Sequence, residues 1–210
     1  MGKYTNETLL EGIKNHTTVN NCFADGLDGF NGSVEGIKVP ANAAKNKAAW
    51  EKAYNEYGSK LGLRDKKAYL HLLAQVMHES GSFLYMKEIG AGQGKKYGVP
   101  AGPYNQIYYG RGPVQVTWES NYKQIYEKFF KPNGLGDINI WKNPDLCNDP
   151  YVGSLATFGW FLTTSNGKRA IEACNNYDVE GATKAINGGK NGLKDRQNKT
   201  AALLLQNNLA

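Results

Sequence analysis

Two glutamates in the middle of the chain have the chemistry of a general acid and a general base. Glu79 falls at the last turn of a strongly apolar predicted helix, beside Met77 and Phe83. Apolar surroundings raise the pKa of a carboxyl group, and a carboxyl that stays protonated can donate its proton to a departing glycosidic oxygen. Taken alone, Glu79 also fits a surface glutamate at a helix end, which is the simpler interpretation.

Glu88 follows nine residues later, and its use depends on where that helix stops. On one continuous helix, nine residues give about 900° of rotation and about 13.5 Å of rise, so the two carboxylates would face opposite sides. Gly81 favours a helix end, after which the chain can fold back and place Glu88 across a gap from Glu79. Two glutamates separated by room for a water molecule describe an inverting glycosidase. An ion pair with Lys87 or another surface cation is the alternative role of Glu88.

The segment Tyr108–Lys123 contains side chains that suit contact with a sugar. Two glycines flank Arg111 and permit a close approach of the backbone, and Tyr109 offers a flat ring face. Thr117 has two candidate roles, because it could cap the following helix or present its hydroxyl to the site.

Together these segments resemble the glycoside hydrolase family 19 chitinases, above all the compact bacterial-type members. The matching stretches are His78–Phe83 with a second glutamate nine residues later, Tyr97–Gly102, Tyr108–Trp118 and, more weakly, Ala185–Gly189. The resemblance implies a mainly α-helical, lysozyme-like, bilobed domain with a central substrate cleft. It also implies endo-acting, inverting hydrolysis of β-1,4-linked N-acetylglucosamine in chitin.

By this resemblance Glu79 is the general acid, Glu88 is the general base, and Thr117 helps the base to hold the attacking water. The side chains predicted to bind substrate are His78, Tyr109, Arg111, Gln115, Asn121, Asn187 and Arg196. His78 also fits a hydrogen-bonded structural role in the cleft wall, and Arg196 approximates the arginine of the family's buried charge network. No metal or cofactor is expected, because Ser82 occupies the position of the second histidine of a zinc-protease motif.

The alternative substrate is peptidoglycan rather than chitin or chito-oligosaccharides. Lys190 and Asn191 stand where plant members carry an acidic residue, and this segment resembles phage endolysins of the family. The alternative function is therefore a peptidoglycan-cleaving endolysin or lysozyme that uses the same two glutamates. A third hypothesis is a non-catalytic chitin-binding lectin.

Length, charge and cysteine content limit the number of domains and the kinds of partner. The 210 residues can bury one core, so we expect a single domain over 1–210, with an N-terminal helix and wrapping loop in 1–42 and a family-like core in 65–196. The lysines and arginines behind the net charge of +6 are scattered along the chain, and no apolar run is long enough to span a membrane. Neither nucleic acid nor a membrane is therefore an expected partner.

We expect a monomer that is secreted without its signal peptide in this chain, or else a cytoplasmic or phage-released protein. The odd set Cys22, Cys147 and Cys174 leaves one disulfide possible.

Hydrophobic spacing predicts the elements that must position these residues. The helix that carries Glu79 should begin at the N-cap Asp65, bury one apolar stripe and stop at Gly81, and residues 81–112 should form a loop. The other predicted helices are Glu7–Ile13, Ala43–Lys60, Trp118–Phe130 ended by Pro132, Tyr151–Thr163, Glu172–Ile186 and Asp195–Leu209.

Overall fold

The computed structural model describes residues 41–210, and these residues form a mainly α-helical fold, as predicted. The seven α-helices of this range are α1 (Ala41–Tyr57), α2 (Lys66–Glu79), α3 (Glu119–Ile125), α4 (Pro150–Thr163), α5 (Ser165–Asn175), α6 (Val179–Asn187) and α7 (Leu193–Gln206). Between residues 41 and 210, extended pairing is limited to isolated bridges. The predicted helix Glu7–Ile13 and the loop that follows it lie outside the described residues.

Helix α2 carries Glu79 at its last position and forms for the reasons that the sequence indicates. The side chain of Asp65 accepts a hydrogen bond from the Ala68 backbone N–H at 2.8 Å, so the predicted N-cap is confirmed. The predicted apolar stripe is buried throughout, at Ala68, Leu72, Leu73, Val76 and Met77. Helix α2 packs against α5, α6 and α7, and this packing fixes the direction in which its C-terminus points.

A cluster of aromatic rings connects α1 and α4 to the segment that follows Glu79. Trp50 of α1 has no exposed surface, and its ring centroid lies 4.8 Å from that of Phe158 in α4 and 6.2 Å from that of Phe83. Removing such a buried ring costs roughly 3–5 kcal/mol of stability. The core therefore anchors the chain immediately beyond the predicted acid.

Two predicted helices differ from the structure at a capping residue. The single helix predicted over Glu172–Ile186 is wrong, because α5 ends at Asn175 and Asp178 accepts a hydrogen bond from the Gly181 N–H at 2.9 Å to start α6. Thr117 does not cap α3, since the N-cap position is occupied by Trp118 without a side-chain hydrogen bond. Beyond α3 the chain continues through a π-helical turn and a 3₁₀ turn that contains Pro132, so proline does not end the helical run there.

Cys147 and Cys174 are both buried free thiols, so no disulfide joins them, and Cys22 lies outside the described residues. Burial raises the pKa of each of the two thiols to about 12. Among residues 41–210, no helix combines the length and the apolar character that a membrane crossing requires.

Candidate active site

The chain reverses directly after Glu79 through a left-handed turn. Gly81, Ser82 and Phe83 have φ angles of 57°, 59° and 66°, a region of backbone conformation that residues other than glycine rarely adopt. The Ser80 hydroxyl accepts a hydrogen bond from the Phe83 N–H at 2.8 Å, and the Tyr85 N–H bonds back to the Ser80 carbonyl at 2.8 Å. Strain of this kind persists only when the surroundings impose it and is concentrated at functional sites. The predicted stop near Gly81 and the return of the chain are thus confirmed.

Glu79 is held by a buried arginine from α7. The guanidinium of Arg196, whose side chain is 1% exposed, donates to Oε1 of Glu79 through one nitrogen and to Oε1 of Gln75 at 2.7 Å through the other. Only 18% of the Glu79 side chain is exposed. The purely apolar surroundings expected from the sequence are therefore replaced by a charge-assisted hydrogen bond that fixes one carboxylate oxygen.

A second pair lies beside the first, between the same two helices. Nδ1 of His78 lies 2.6 Å from Oδ2 of Asp195, and the fully buried Nζ of Lys199 lies 2.7 Å from that same oxygen. Burial acts to raise the pKa of Asp195, but its hydrogen bonds to His78 and Lys199 prevail and lower it to about 2. Asp195 is therefore ionised at neutral pH. It orients the His78 ring, which fits the structural role that the sequence allowed for His78.

Glu88 lies on the returning segment, and its carboxylate accepts hydrogen bonds from two donors. Its own N–H bonds to the Gly110 carbonyl at 2.8 Å, and its Oε2 accepts from the Gly110 N–H at 3.1 Å. The hydroxyl of Tyr97 donates to Oε1 at 2.9 Å. Glu79 and Glu88 thus occupy separate segments joined by the reversal, as predicted, and each is oriented by its own partners.

Arg111 lies in the interior, and its contact with sugar stays a prediction. Its side chain is 2% exposed, and its guanidinium donates to Asp145 at 2.6 Å and to the carbonyls of Ile107 and Tyr109. The guanidinium also stacks 3.5 Å from the ring centroid of Tyr109. Arg111 therefore holds the loop from inside, and one face of the Tyr109 ring is already covered.

The polar residues predicted to contact sugar also make contacts within the protein. Gln115 donates to the Gly112 carbonyl at 3.1 Å, and Asn121 donates to the Thr117 carbonyl at 2.9 Å. Asn187 is exposed and bonds within its own loop, to the Asn191 carbonyl at 2.9 Å. By contrast, the Thr117 hydroxyl has no hydrogen-bond partner within residues 41–210, so it is free to hold a water molecule.

Comparison with known proteins places this site in a family. The family model described as chitinase class I, of glycoside hydrolase family 19, matches residues 72–185, which is just over half of the chain and includes both glutamates. The chain belongs to glycoside hydrolase family 19. Asn187 and Arg196 lie beyond the matched family 19 residues.

Relatives and solved structures agree with this assignment. Two endochitinases of Arabidopsis thaliana are 37% and 38% identical over 75% and 78% of this chain. The crystal structure of chitinase C from Streptomyces griseus has a TM-score of 0.55 and 25% identity, covering 80% of this chain and 70% of that one. The chain spans about half the length of the two Arabidopsis relatives, 52% and 54%.

Several residues that shape the site were missed from the sequence. Gln75, Tyr97, Asp195 and Lys199 were not predicted to act, yet each hydrogen-bonds to a predicted site residue or to its neighbour. The spacing of Asp195 and Lys199 at i and i+4 in a helix indicates an ion pair and could have been used. Within residues 41–210, no three His, Cys, Asp or Glu side chains are grouped as a metal site requires.

Proposed function

We propose that this family 19 chain is an endo-acting, inverting chitinase that hydrolyses β-1,4-linked N-acetylglucosamine polymers. The observation that carries the proposal is the pair Glu79 and Glu88 on two sides of a chain reversal. Arg196 holds one carboxylate, and Tyr97 with the Gly110 N–H holds the other. Two carboxylates with different partners suit the different tasks of an acid and a base.

Glu79 acts as the general acid. With Oε1 bound to the Arg196 guanidinium, Oε2 is the oxygen that carries the proton to the glycosidic oxygen. Proton transfer lets the C1–O bond break, and the leaving sugar departs with the new hydroxyl group. Glu79 is then a carboxylate, which its bond to Arg196 stabilises.

Glu88 acts as the general base on the opposite face of the sugar ring. A water molecule attacks C1 as the bond to the leaving group breaks, and its proton passes to Glu88. The free hydroxyl of Thr117 can hold this water, in the role that the family resemblance gives it. Attack from the face opposite the leaving group inverts the anomeric centre. Exchange with solvent then returns a proton to Glu79 and removes the proton from Glu88.

Isosteric substitutions test these roles. General acid–base catalysis contributes about 10²–10⁴-fold, so Glu79→Gln and Glu88→Gln should each lower kcat on N-acetylglucosamine hexamer by that factor. Both variants should still bind the hexamer in calorimetry. Glu127→Gln, a change at an exposed glutamate, is the matched control and should keep wild-type activity. Full activity in Glu79→Gln would contradict the acid assignment.

Peptidoglycan is the second candidate substrate, and the segment after α6 favours it. By the family resemblance, Lys190 and Asn191 stand where plant members carry an acidic residue. Lys190 pairs with Glu180 at 2.8 Å, and the Asn191 carbonyl accepts a hydrogen bond from Arg196 at 3.4 Å. Incubation with purified peptidoglycan decides between the two polymers. Cleavage of peptidoglycan without release of chitin oligomers would select the endolysin, and binding without cleavage of either would select a lectin. Secretion and a monomeric state remain predictions.

A further inference from the structure

Each oxygen of the Glu88 carboxylate accepts a hydrogen bond. The Gly110 N–H donates to Oε2 at 3.1 Å and the Tyr97 hydroxyl donates to Oε1 at 2.9 Å. Among the side chains of residues 41–210, Tyr97 is the only one that hydrogen-bonds to Glu88. Two donors on different oxygens prevent the carboxylate from rotating, and a base must aim one lone pair at its water molecule.

The backbone of the loop is arranged to hold Tyr97 in place. The Lys95 N–H bonds to the Gly92 carbonyl at 2.9 Å, and the Gly98 N–H bonds to the Lys95 carbonyl at 2.9 Å. Gly92 and Gly98 pack so closely that a Cβ on Gly98 would overlap the Gly92 carbonyl group. Glycine is therefore required directly after Tyr97, and this contact fixes the position from which the tyrosine side chain projects.

The ring of Trp118 contacts the ring of Tyr97. The two rings meet edge to face, with centroids 5.5 Å apart and an interplanar angle of 75°. Trp118 has φ 71° and ψ 133°, a conformation that costs about 1–3 kcal/mol in a residue other than glycine. It follows Thr117 directly, so the Tyr97 ring connects the predicted base to the segment whose hydroxyl is free to hold water.

We infer that Tyr97 is a positioning residue for the general base, which locks Oε1 of Glu88 so that the carboxylate keeps one orientation toward the attacking water. The role of Glu88 as base rests on the proposed function, whereas the hydrogen bond does not. Burial, and then the Glu88 carboxylate, raise the pKa of Tyr97 above its usual value. The phenol thus stays protonated and remains a donor over the range in which the enzyme works.

The test compares Tyr97→Phe with Tyr104→Phe. The first change removes only the hydroxyl and keeps the ring that contacts Trp118. Tyr104 lies in the same loop, and its ring contacts Trp141 instead, at 5.0 Å between centroids. Loss of a hydrogen bond to a charged group should lower kcat about tenfold in Tyr97→Phe, with KM changed less than about twofold. The acidic limb of its kcat/KM profile should move to higher pH, because the carboxylate has lost a donor, and Tyr104→Phe should match the wild type.

A second readout does not depend on activity. In protein labelled with carbon-13 at the glutamate carboxyl, the Glu88 signal is assigned by its absence from Glu88→Gln, and its titration is followed by NMR. A midpoint that rises in Tyr97→Phe alone supports the inference, even if the wild type fails to hydrolyse chitin oligomers and the proposed function falls. Coincident titrations overturn it, as does a Tyr97→Phe variant in which only KM changes, because the hydroxyl would then contact substrate.

Discussion

Replacing Asp195 with asparagine leaves a fully buried ammonium group without its carboxylate. The side chain of Lys199 is 0% exposed and that of Asp195 is 16% exposed. Breaking a buried pair by removing one partner costs about 3–5 kcal/mol, and the partial exposure of Asp195 places this case at the low end. The pKa of Asp195 gives a second estimate, because a fall from 3.8 to about 2 corresponds to about 2 kcal/mol after screening by solvent. We therefore expect Asp195→Asn to lower the free energy of unfolding by about 2–3 kcal/mol.

The dependence on pH has a definite sign. A carboxyl whose pKa is lowered by folding stabilises the native state above the unfolded value of 3.8, and this contribution is lost as the pH falls toward about 2. The wild type should lose stability across that window, whereas the part due to Asp195 should be absent in Asp195→Asn.

Urea unfolding near neutral pH measures the effect. Asp137→Asn, at an exposed position, is the control and should change the free energy of unfolding by less than about 0.5 kcal/mol. The double variant with Lys199→Met should recover part of the loss, because it removes the unpaired charge. A loss in Asp195→Asn no larger than that of Asp137→Asn would refute the argument, since the buried ammonium would then need no carboxylate.

Three further changes test other parts of the structure. Burial, and then Lys67, lower the pKa of His71 from 6.5 to about 4. As the pH falls from 6.5 to about 4, the unfolded chain takes up a proton that the native state does not, so the free energy of unfolding should fall by about 2–3 kcal/mol. Thermal unfolding of His71→Leu should lack this pH-dependent loss. Gly98→Ala should lower kcat roughly 10–100-fold by displacing Tyr97, with unchanged helical circular dichroism, and wild-type kcat would contradict the packing described. Asp178→Ala should lose about 1 kcal/mol with the N-cap of α6, and Asp178→Asn, which can still cap, should lose less than half of that in the same urea titration.

Local patterns in the sequence predicted the features that depend on neighbouring residues. Asp65 caps α2, the apolar stripe of α2 is buried, and Gly81 marks the reversal that brings Glu88 back. Each of these depends on spacing within a few residues, which helical periodicity and capping chemistry determine. The single helix predicted over Glu172–Ile186 failed at this same local level, because the capping potential of Asp178 was overlooked.

Features that depend on distant residues were harder to predict. Arg196 meets Gln75 across 121 positions of sequence, and Arg111 meets Asp145 across 34. A glycine-flanked arginine suggests a surface contact, yet the tertiary fold buries Arg111 between a carboxylate and backbone carbonyls. The Tyr97 hydroxyl reaches Glu88 only because a tight loop turns the chain back, and nothing in the spacing of the two residues indicates that contact.

The stereochemistry of hydrolysis tests the central claim about Glu79 and Glu88 most directly. Proton NMR within the first minutes of N-acetylglucosamine hexamer cleavage resolves the anomers at the new reducing ends before they equilibrate. A base that activates water opposite the leaving group predicts α-anomers from the β-linked substrate. Predominant β-anomers would mean retention of configuration, and would contradict the assignment of Glu88 as the base for a directly attacking water molecule.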